Sequence, residues 1–135
     1  MTGVDRDAAA LAALAPIAET VVADIENAPW PLPGRRFDAV IITNYLWRAL
    51  LPTLVASVVD GGVLIYETFA IGNASVGKPS NPAFLLRRGE LLQEVQGLRV
   101  IAFEDGFLDL PPRFVQRIAA VREGPASADP ARYPL

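Results

Sequence analysis

Short apolar runs alternate with helix-like segments along this chain of 135 residues. The clearest run is Phe37–Thr43, whose apolar and β-branched residues predict a strand that is buried on both faces. Residues 63–68 form a second such run. Between the two runs, residues 46–59 follow a helical pattern, in which Pro52 fits best in the first turn. This alternation is typical of an α/β sheet.

The N-terminal residues read as the tail of a β-strand that ends on a carboxylate, Asp5. Asp7 is a predicted N-cap for a helix over residues 8–14, which Pro16 ends. The β-branched run at residues 20–23 predicts a second strand, and the proline-rich residues 27–36 predict a loop. Because no glycine-rich strand-to-helix turn comes first, we expect the first strand and helix of the sheet to be absent.

The second half of the chain predicts a hairpin at the end of the sheet. Asp60-Gly61-Gly62 predicts a turn, residues 69–86 a long loop, and residues 88–95 a short helix. Two strands follow at residues 98–105 and 114–122, separated by the turn signal Pro111-Pro112. Since no helix separates them, they are expected to pair antiparallel. We predict one partial domain over residues 1–124 and a disordered tail over residues 125–135.

Composition narrows the classes of function. The net charge is −3, which argues against a nucleic-acid partner, and the chain contains neither Cys nor His. Thiolate nucleophiles, zinc sites of the usual type and histidine acid–base chemistry are therefore excluded. The most apolar stretch, residues 39–66, is broken by charged residues and turn signals, so no membrane span is predicted. We expect a cytoplasmic protein.

Polar side chains follow three successive predicted strands: Asp5, Asp24 and Asn44. In open parallel sheets, ligands bind beyond the carboxyl ends of the strands, where an acidic residue can accept the hydroxyl groups of a ribose. A second acid, one strand away, can accept a hydrogen bond from an adenine amine. Asp and Asn are also common turn residues, but three of them at successive strand ends favour a nucleotide site.

Several segments resemble the motifs of class I S-adenosylmethionine-dependent methyltransferases, in particular the bacterial small-molecule type that is often grouped with tellurite-resistance proteins. Val4-Asp5-Arg6-Asp7 resembles the second cofactor motif and Ala23-Asp24-Ile25-Glu26 the third. Residues 37–46 resemble the fourth motif, and residues 60–65 resemble the turn and strand that follow it. Residues 81–92 and 114–122 also resemble segments of this methyltransferase family, so the resemblance extends to about Glu123.

This resemblance implies S-adenosylmethionine as the cofactor and a Rossmann-like, mostly parallel methyltransferase sheet with a C-terminal antiparallel hairpin. By the same resemblance, Asp5 binds the ribose hydroxyls and Arg6 lies along the adenine. Asp24 accepts from the adenine amine, and Ile25 donates its backbone N–H to a ring nitrogen. Asn44 lines the wall near the methionine part of the cofactor.

The methyl acceptor is expected to be a small molecule. The resemblance places Tyr45 on the substrate wall and the loop of residues 69–86 over the substrate, where Lys78 and Arg87 can meet an anionic group. No catalytic residue and no metal site is identified. Such a transfer is an in-line displacement that rests on positioning and often needs no strong general base.

The family's sheet has the strand order 3-2-1-4-5-7-6, so the expected missing strand is a central one. Its loss leaves unpaired backbone groups on two strand edges, which invite self-association. We therefore expect the gene to be truncated, or the start to be assigned too far downstream of the true one.

Alternative functions stay open. The chain can be an inactive or partner-dependent fragment of a methyltransferase. It can also be a nicotinamide-binding Rossmann domain whose glycine-rich motif lies in the absent segment. A receiver-type signalling domain fits poorly, because the central strand ends in Asn44 rather than in a phosphoacceptor Asp.

Overall fold

The computed structural model describes residues 1–125 and 131–134. The chain forms two compact units, Met1–Arg35 (unit 1) and Arg36–Leu135 (unit 2), and each is described by itself. Most of the predicted tail, residues 126–130 and 135, lies outside the described residues. Residues 131–134 have no regular secondary structure, and the Arg99 guanidinium carbon lies 5.1 Å from the Tyr133 ring centroid.

Unit 1 is a β-α-β element. Strand β1 (Thr2–Asp5) is followed by helix α1 (Ala8–Ala12) and by strand β2 (Glu19–Val22), which pairs parallel with β1. The predicted N-cap is confirmed, because the Asp7 carboxylate accepts from the backbone N–H groups of Ala9 and Ala10. Leu11 of α1 is buried.

Unit 2 contains a four-stranded sheet with the strand order β3-β4-β6-β5. Its elements are β3 (Phe37–Thr43), a 3-10 turn (Arg48–Leu50), α2 (Leu51–Ala56), β4 (Val58–Phe69), two more 3-10 turns (Asn73–Ser75 and Pro82–Phe84), α3 (Glu90–Glu94), β5 (Arg99–Asp109) and β6 (Pro112–Val121). The predicted helix over residues 46–59 is shorter than expected. Its regular part begins at Leu51 because Pro52 is favoured in a first turn.

The neighbouring strands pair in both directions. β3 pairs parallel with β4, as β1 does with β2, whereas β4–β6 and β5–β6 are antiparallel. The predicted C-terminal hairpin is therefore present. β6 alone runs against its neighbours, so β3, β4 and β5 point in the same direction.

The prediction that β3 is buried on both faces is wrong. Only Ile42 of this strand is buried, and Ile41 is 66 % exposed. In the part of the chain that the structure describes, β3 pairs with β4 alone, so it is an edge strand. Burial on both faces requires helices on both sides of a sheet. Here the buried face carries Leu64 and Tyr66 of β4, while Ile65 on the opposite face is 44 % exposed.

The segment Asp60-Gly61-Gly62 was expected to form a turn before the strand. It lies within β4 as a bulge. Phe37 pairs with Val58 but Ala39 pairs with Val63, so β4 has extra residues between two paired positions. A Cβ atom on Gly62 would lie 2.9 Å from the Val59 carbonyl oxygen. Only glycine fits this close backbone approach.

The predicted long loop is ordered at both ends. Ile71 donates its backbone N–H to the Leu86 carbonyl at 2.8 Å, and Leu86 donates to the Phe69 carbonyl at 2.9 Å. Gly72 lies at φ 104°, and a Cβ atom there would be 3.1 Å from the Phe114 ring. These contacts attach the loop to the sheet. No helix among the described residues is long and apolar enough to cross a membrane.

Candidate functional site

The carboxyl ends of β1 and β2 carry two exposed acidic residues, Asp5 and Asp24. The parallel register pairs Asp5 with Val22, and the Ala23 N–H donates to the Asp5 carbonyl at 2.9 Å. Asp24 is the next residue. The parallel pairing therefore brings both acids to one edge of unit 1, as the sequence predicts for successive parallel strands.

Each of these carboxylates organises the turn that follows its strand. The Asp5 Oδ1 accepts from the Asp7 N–H at 2.9 Å. Asp24 accepts from the Asn27 side-chain amide at 2.9 Å and from the Glu26 N–H at 3.1 Å. The Asn27 bond, followed by the Glu26 bond, lowers the pKa of Asp24, so this side chain is a stable anion.

Arg6 and Ile25 follow these two acids. Arg6 is exposed, and its positive charge helps to lower the pKa of Asp24. Ile25 is half-buried. Unit 1 thus contains four of the five predicted cofactor residues, and their cofactor roles stay predictions.

Asn44 and Tyr45 follow β3 in unit 2. Asn44 has a left-handed backbone, with φ 53°, a conformation that Asn tolerates better than most residues. Its N–H donates to the Glu67 carbonyl at 3.0 Å, which continues the pairing of β3 with β4. The Tyr45 carbonyl accepts from the buried Tyr66 hydroxyl at 2.7 Å.

A cleft of about 560 Å³ lies in unit 2, against the loop that follows β4. Its lining includes Ile71, Ala74, Leu85 and Ser80, and its charged lining residues are Arg48 and Arg87. The predicted substrate residue Arg87 therefore faces this cleft. Lys78 and Tyr45 are not among its lining residues, and the Lys78 ammonium donates to the Ser80 hydroxyl at 3.1 Å.

An ion pair fixes one wall of the cleft. Arg48 donates Nε to Glu90 Oε1 at 2.7 Å and Nη2 to Glu90 Oε2 at 3.0 Å, a two-bond contact that favours arginine. The same guanidinium donates to the carbonyl groups of Ala83 and Leu85, at 2.7 and 3.0 Å. Arg48 thereby joins the loop to α3.

Glu90 is 2 % exposed. Burial raises the pKa of its carboxyl group, but the hydrogen bonds from Arg48 and Arg87 outweigh burial and lower the pKa to about 2. The Arg87 N–H donates to Glu90 Oε2 at 2.7 Å. The Arg87 guanidinium is more loosely held, at 3.4 and 3.5 Å from the same carboxylate, and its side chain is 74 % exposed.

Gln116 completes this arrangement. It is fully buried on β6, accepts from the Leu91 N–H at 3.2 Å, and donates its side-chain amide to the Arg87 carbonyl. Sequence reasoning missed Arg48, Glu90 and Gln116. Two local signals point to these residues. Arg87 and Glu90 are spaced as an i, i+3 pair, and Gln116 is a polar residue on the inward face of β6 beside Ile118.

No group of three or more metal-ligating side chains occurs among the residues that the structure describes.

Solved structures that resemble this chain include the following three. TehB from Haemophilus influenzae has a TM-score of 0.70 at 16 % identity over 90 % of this chain and 49 % of that chain. The N-methyltransferase NodS from Bradyrhizobium japonicum WM9 has a TM-score of 0.60 at 13 % identity over 89 % and 72 %. The 16S rRNA (adenine(1408)-N(1))-methyltransferase from Catenulisporales acidiphilia, with cosubstrate SAM, has a TM-score of 0.57 at 18 % identity over 93 % and 74 %.

Two of these neighbours are named methyltransferases, one of them with cosubstrate SAM, and this chain has a class I methyltransferase fold. It spans about half the length of TehB. No family model and no curated protein matches this sequence.

Proposed function

We propose that this chain binds S-adenosylmethionine and takes part in methyl transfer to a small molecule. The observation that carries the proposal is the joint position of Asp5 and Asp24 at one edge of a parallel strand pair, in a fold shared with SAM-dependent methyltransferases. An acid at such a strand end is suited to ribose hydroxyl groups.

The residues of unit 1 fit the nucleoside part of this cofactor. A carboxylate has about four acceptor sites, and the Asp7 N–H uses one site of Asp5, so acceptor capacity is left for two ribose hydroxyls. Asp24 is held as an anion by its turn and can accept from the adenine amine. Arg6 can stack along the ring, because guanidinium groups pack on aromatic faces.

The remaining predicted residues would contact other parts of the cofactor and the methyl acceptor. Ile25 would donate its backbone N–H to an adenine ring nitrogen, and Asn44 and Tyr45 would line the methionine part and the acceptor. Bound S-adenosylmethionine supplies an activated methyl group. The protein's task is then to align the acceptor, which can contribute a large part of the rate acceleration.

Isothermal titration with S-adenosylmethionine tests the proposal, with NAD⁺ as the control ligand. We expect heat of binding with S-adenosylmethionine and none with NAD⁺. Asp5→Asn keeps an acceptor for the Asp7 N–H but removes the charge, and should weaken binding by about tenfold or more, the loss expected for a charge-assisted hydrogen bond. Asp38→Asn removes the same charge from an exposed position on β3 and should leave the affinity unchanged.

A second candidate function is a methyltransferase part that needs a partner strand. It is favoured by the two-stranded sheet of unit 1, since isolated strand pairs are marginally stable in water. A strand from another chain, including a second copy of this one, would pair with an open strand edge. Absence of heat from the chain alone, with heat restored by an added strand peptide, would favour this candidate.

A further inference from the structure

The cleft of unit 2 has the size and the lining of a small-molecule site. Its volume of about 560 Å³ lies within the roughly 300–1,000 Å³ common for such sites. Apolar atoms of Ile71, Ala74 and Leu85 form much of its surface. The cleft lies against the loop after β4, beyond the carboxyl end of a strand, where ligands of open α/β sheets bind.

The formal charges that line this cleft are all positive. Arg48 and Arg87 are its charged lining residues, and both contact Glu90. Two cations and one anion leave a net charge of +1 on this group, 2 − 1 = +1. Lys78 adds a further positive charge through its contact with Ser80 on the lining. A ligand with a negative group is therefore favoured over a neutral or cationic one.

The two arginines have different tasks. Four of the five N–H groups of Arg48 already donate, two to Glu90 and two to the carbonyls of Ala83 and Leu85. Arg48 therefore holds the wall of the cleft in place. The Arg87 guanidinium makes only long contacts of 3.4 and 3.5 Å, compared with about 2.7–2.9 Å for a strong charged hydrogen bond. It can turn towards a ligand without breaking a strong contact.

We propose that this cleft binds a small organic carboxylate, with Arg87 paired to the carboxylate and the apolar body of the ligand against Ile71, Ala74 and Leu85. The proposal rests on the proposed function, in which this carboxylate is the methyl acceptor. Tyr45 does not line the cleft and would contact only a part of the acceptor that lies outside it. Arg87 is the residue that contacts the ligand, and Arg48 is a positioning residue that holds the loop. Guanidinium groups suit this task because they bind carboxylates through two parallel hydrogen bonds.

Benzoate and benzamide are suitable probes because they share an aromatic body and differ in charge. In two-dimensional amide NMR titrations of the full chain, benzoate should shift the amide signals of Ala74, Leu85 and Arg87. Benzamide should bind at least about tenfold more weakly, since it lacks the charge that strengthens the hydrogen bonds. Equal affinity for the two probes, or no shift with benzoate at about 10 mM, would overturn the proposal.

Arg87→Gln should weaken benzoate binding about tenfold, whereas Arg88→Gln removes the same charge from the exposed neighbouring position and should change affinity less than about twofold. Arg87→Lys should keep part of the affinity because it keeps the charge. An equal loss in Arg87→Gln and Arg88→Gln would contradict a specific contact. Titration with S-adenosylmethionine is a separate measurement. Heat of cofactor binding without NMR shifts from benzoate would overturn the proposed substrate class. NMR shifts from benzoate without heat of cofactor binding would overturn the proposed function.

Discussion

The strand ends of unit 1 and the loop support of unit 2 hold their polar side chains in different ways. Asp5 and Asp24 are exposed, and their hydrogen bonds reach no more than three residues along the chain. Glu90 and Gln116 are buried and bind groups 42 and 25 residues away. Exposed carboxylates that organise only their own turns keep acceptor capacity for a ligand, whereas buried groups with distant partners stabilise the fold.

Removal of the Glu90 carboxylate should have the largest effect on stability. In Glu90→Ala, Arg48 loses its counter-ion. Because the Arg48 side chain is 35 % exposed, the loss should lie near the lower end of the about 3–5 kcal/mol that breaking a buried pair from one side costs. Urea unfolding measures this loss. The matched control is Glu123→Ala, which removes one partner of the surface pair with Arg99 and should cost less than about 1 kcal/mol. Equal losses in the two variants would mean that burial of the pair is not what matters.

Lowering the pH should reduce the stability of unit 2 through protonation of the Glu90 carboxylate. The pKa of Glu90 is about 2 in the folded protein and about 4.3 in an unfolded chain. A lowered folded pKa contributes stability above the unfolded value, and this contribution is lost as the pH falls towards the folded value. We expect about 3 kcal/mol of unfolding free energy to disappear between pH 5 and about pH 2. In Glu90→Gln, the slope of stability against pH should be smaller over this window.

The buried amide of Gln116 gives a smaller effect. Gln116→Leu keeps the volume but leaves the Leu91 N–H and the Arg87 carbonyl without this partner, at a cost of about 1–3 kcal/mol. Gln93→Leu makes the same change at an exposed position on α3 and should stay within about 0.5 kcal/mol. A loss in the Gln93 variant as large as that in the Gln116 variant would contradict the assignment of a structural role.

The strand-end acids of unit 1 should show the smallest change in stability. Asp24→Asn keeps the acceptor oxygen for the Glu26 N–H but replaces the oxygen that accepts from the Asn27 side-chain amide, so the urea midpoint should fall only slightly. Its affinity for S-adenosylmethionine should nevertheless fall. A clear loss of stability with unchanged cofactor affinity would make Asp24 a turn residue only, and would remove the contrast between the two units.

Local signals predicted the parts of the fold that depend on neighbouring residues. Asp7 caps its helix as expected, and Pro52 lies in the first turn of α2. The hairpin of β5 and β6 was also predicted, because no helix pattern separates the two strands. Such features are encoded within a few residues, so a single sequence is sufficient to find them.

Features that depend on distant residues could not be predicted in this way. Phe37–Thr43 has the composition of a central strand, but its burial depends on what covers each face. The pairing of Arg48 with Glu90 joins residues 42 positions apart, and no local pattern encodes it. Arg87 was predicted as a possible anion contact, yet the cleft that it lines became visible only with the folded loop.

Hydrogen–deuterium exchange with S-adenosylhomocysteine, which cannot donate a methyl group, tests the central claim most directly. Ligand binding should slow amide exchange in the turns that follow β1 and β2, at residues 5–9 and 23–27, because the nucleoside would contact Asp5 and Asp24. Residues 99–121 of β5 and β6 serve as an internal reference and should not change. Unchanged exchange at both turns under ligand excess, or protection confined to residues 70–90, would contradict a cofactor site at the strand ends of unit 1.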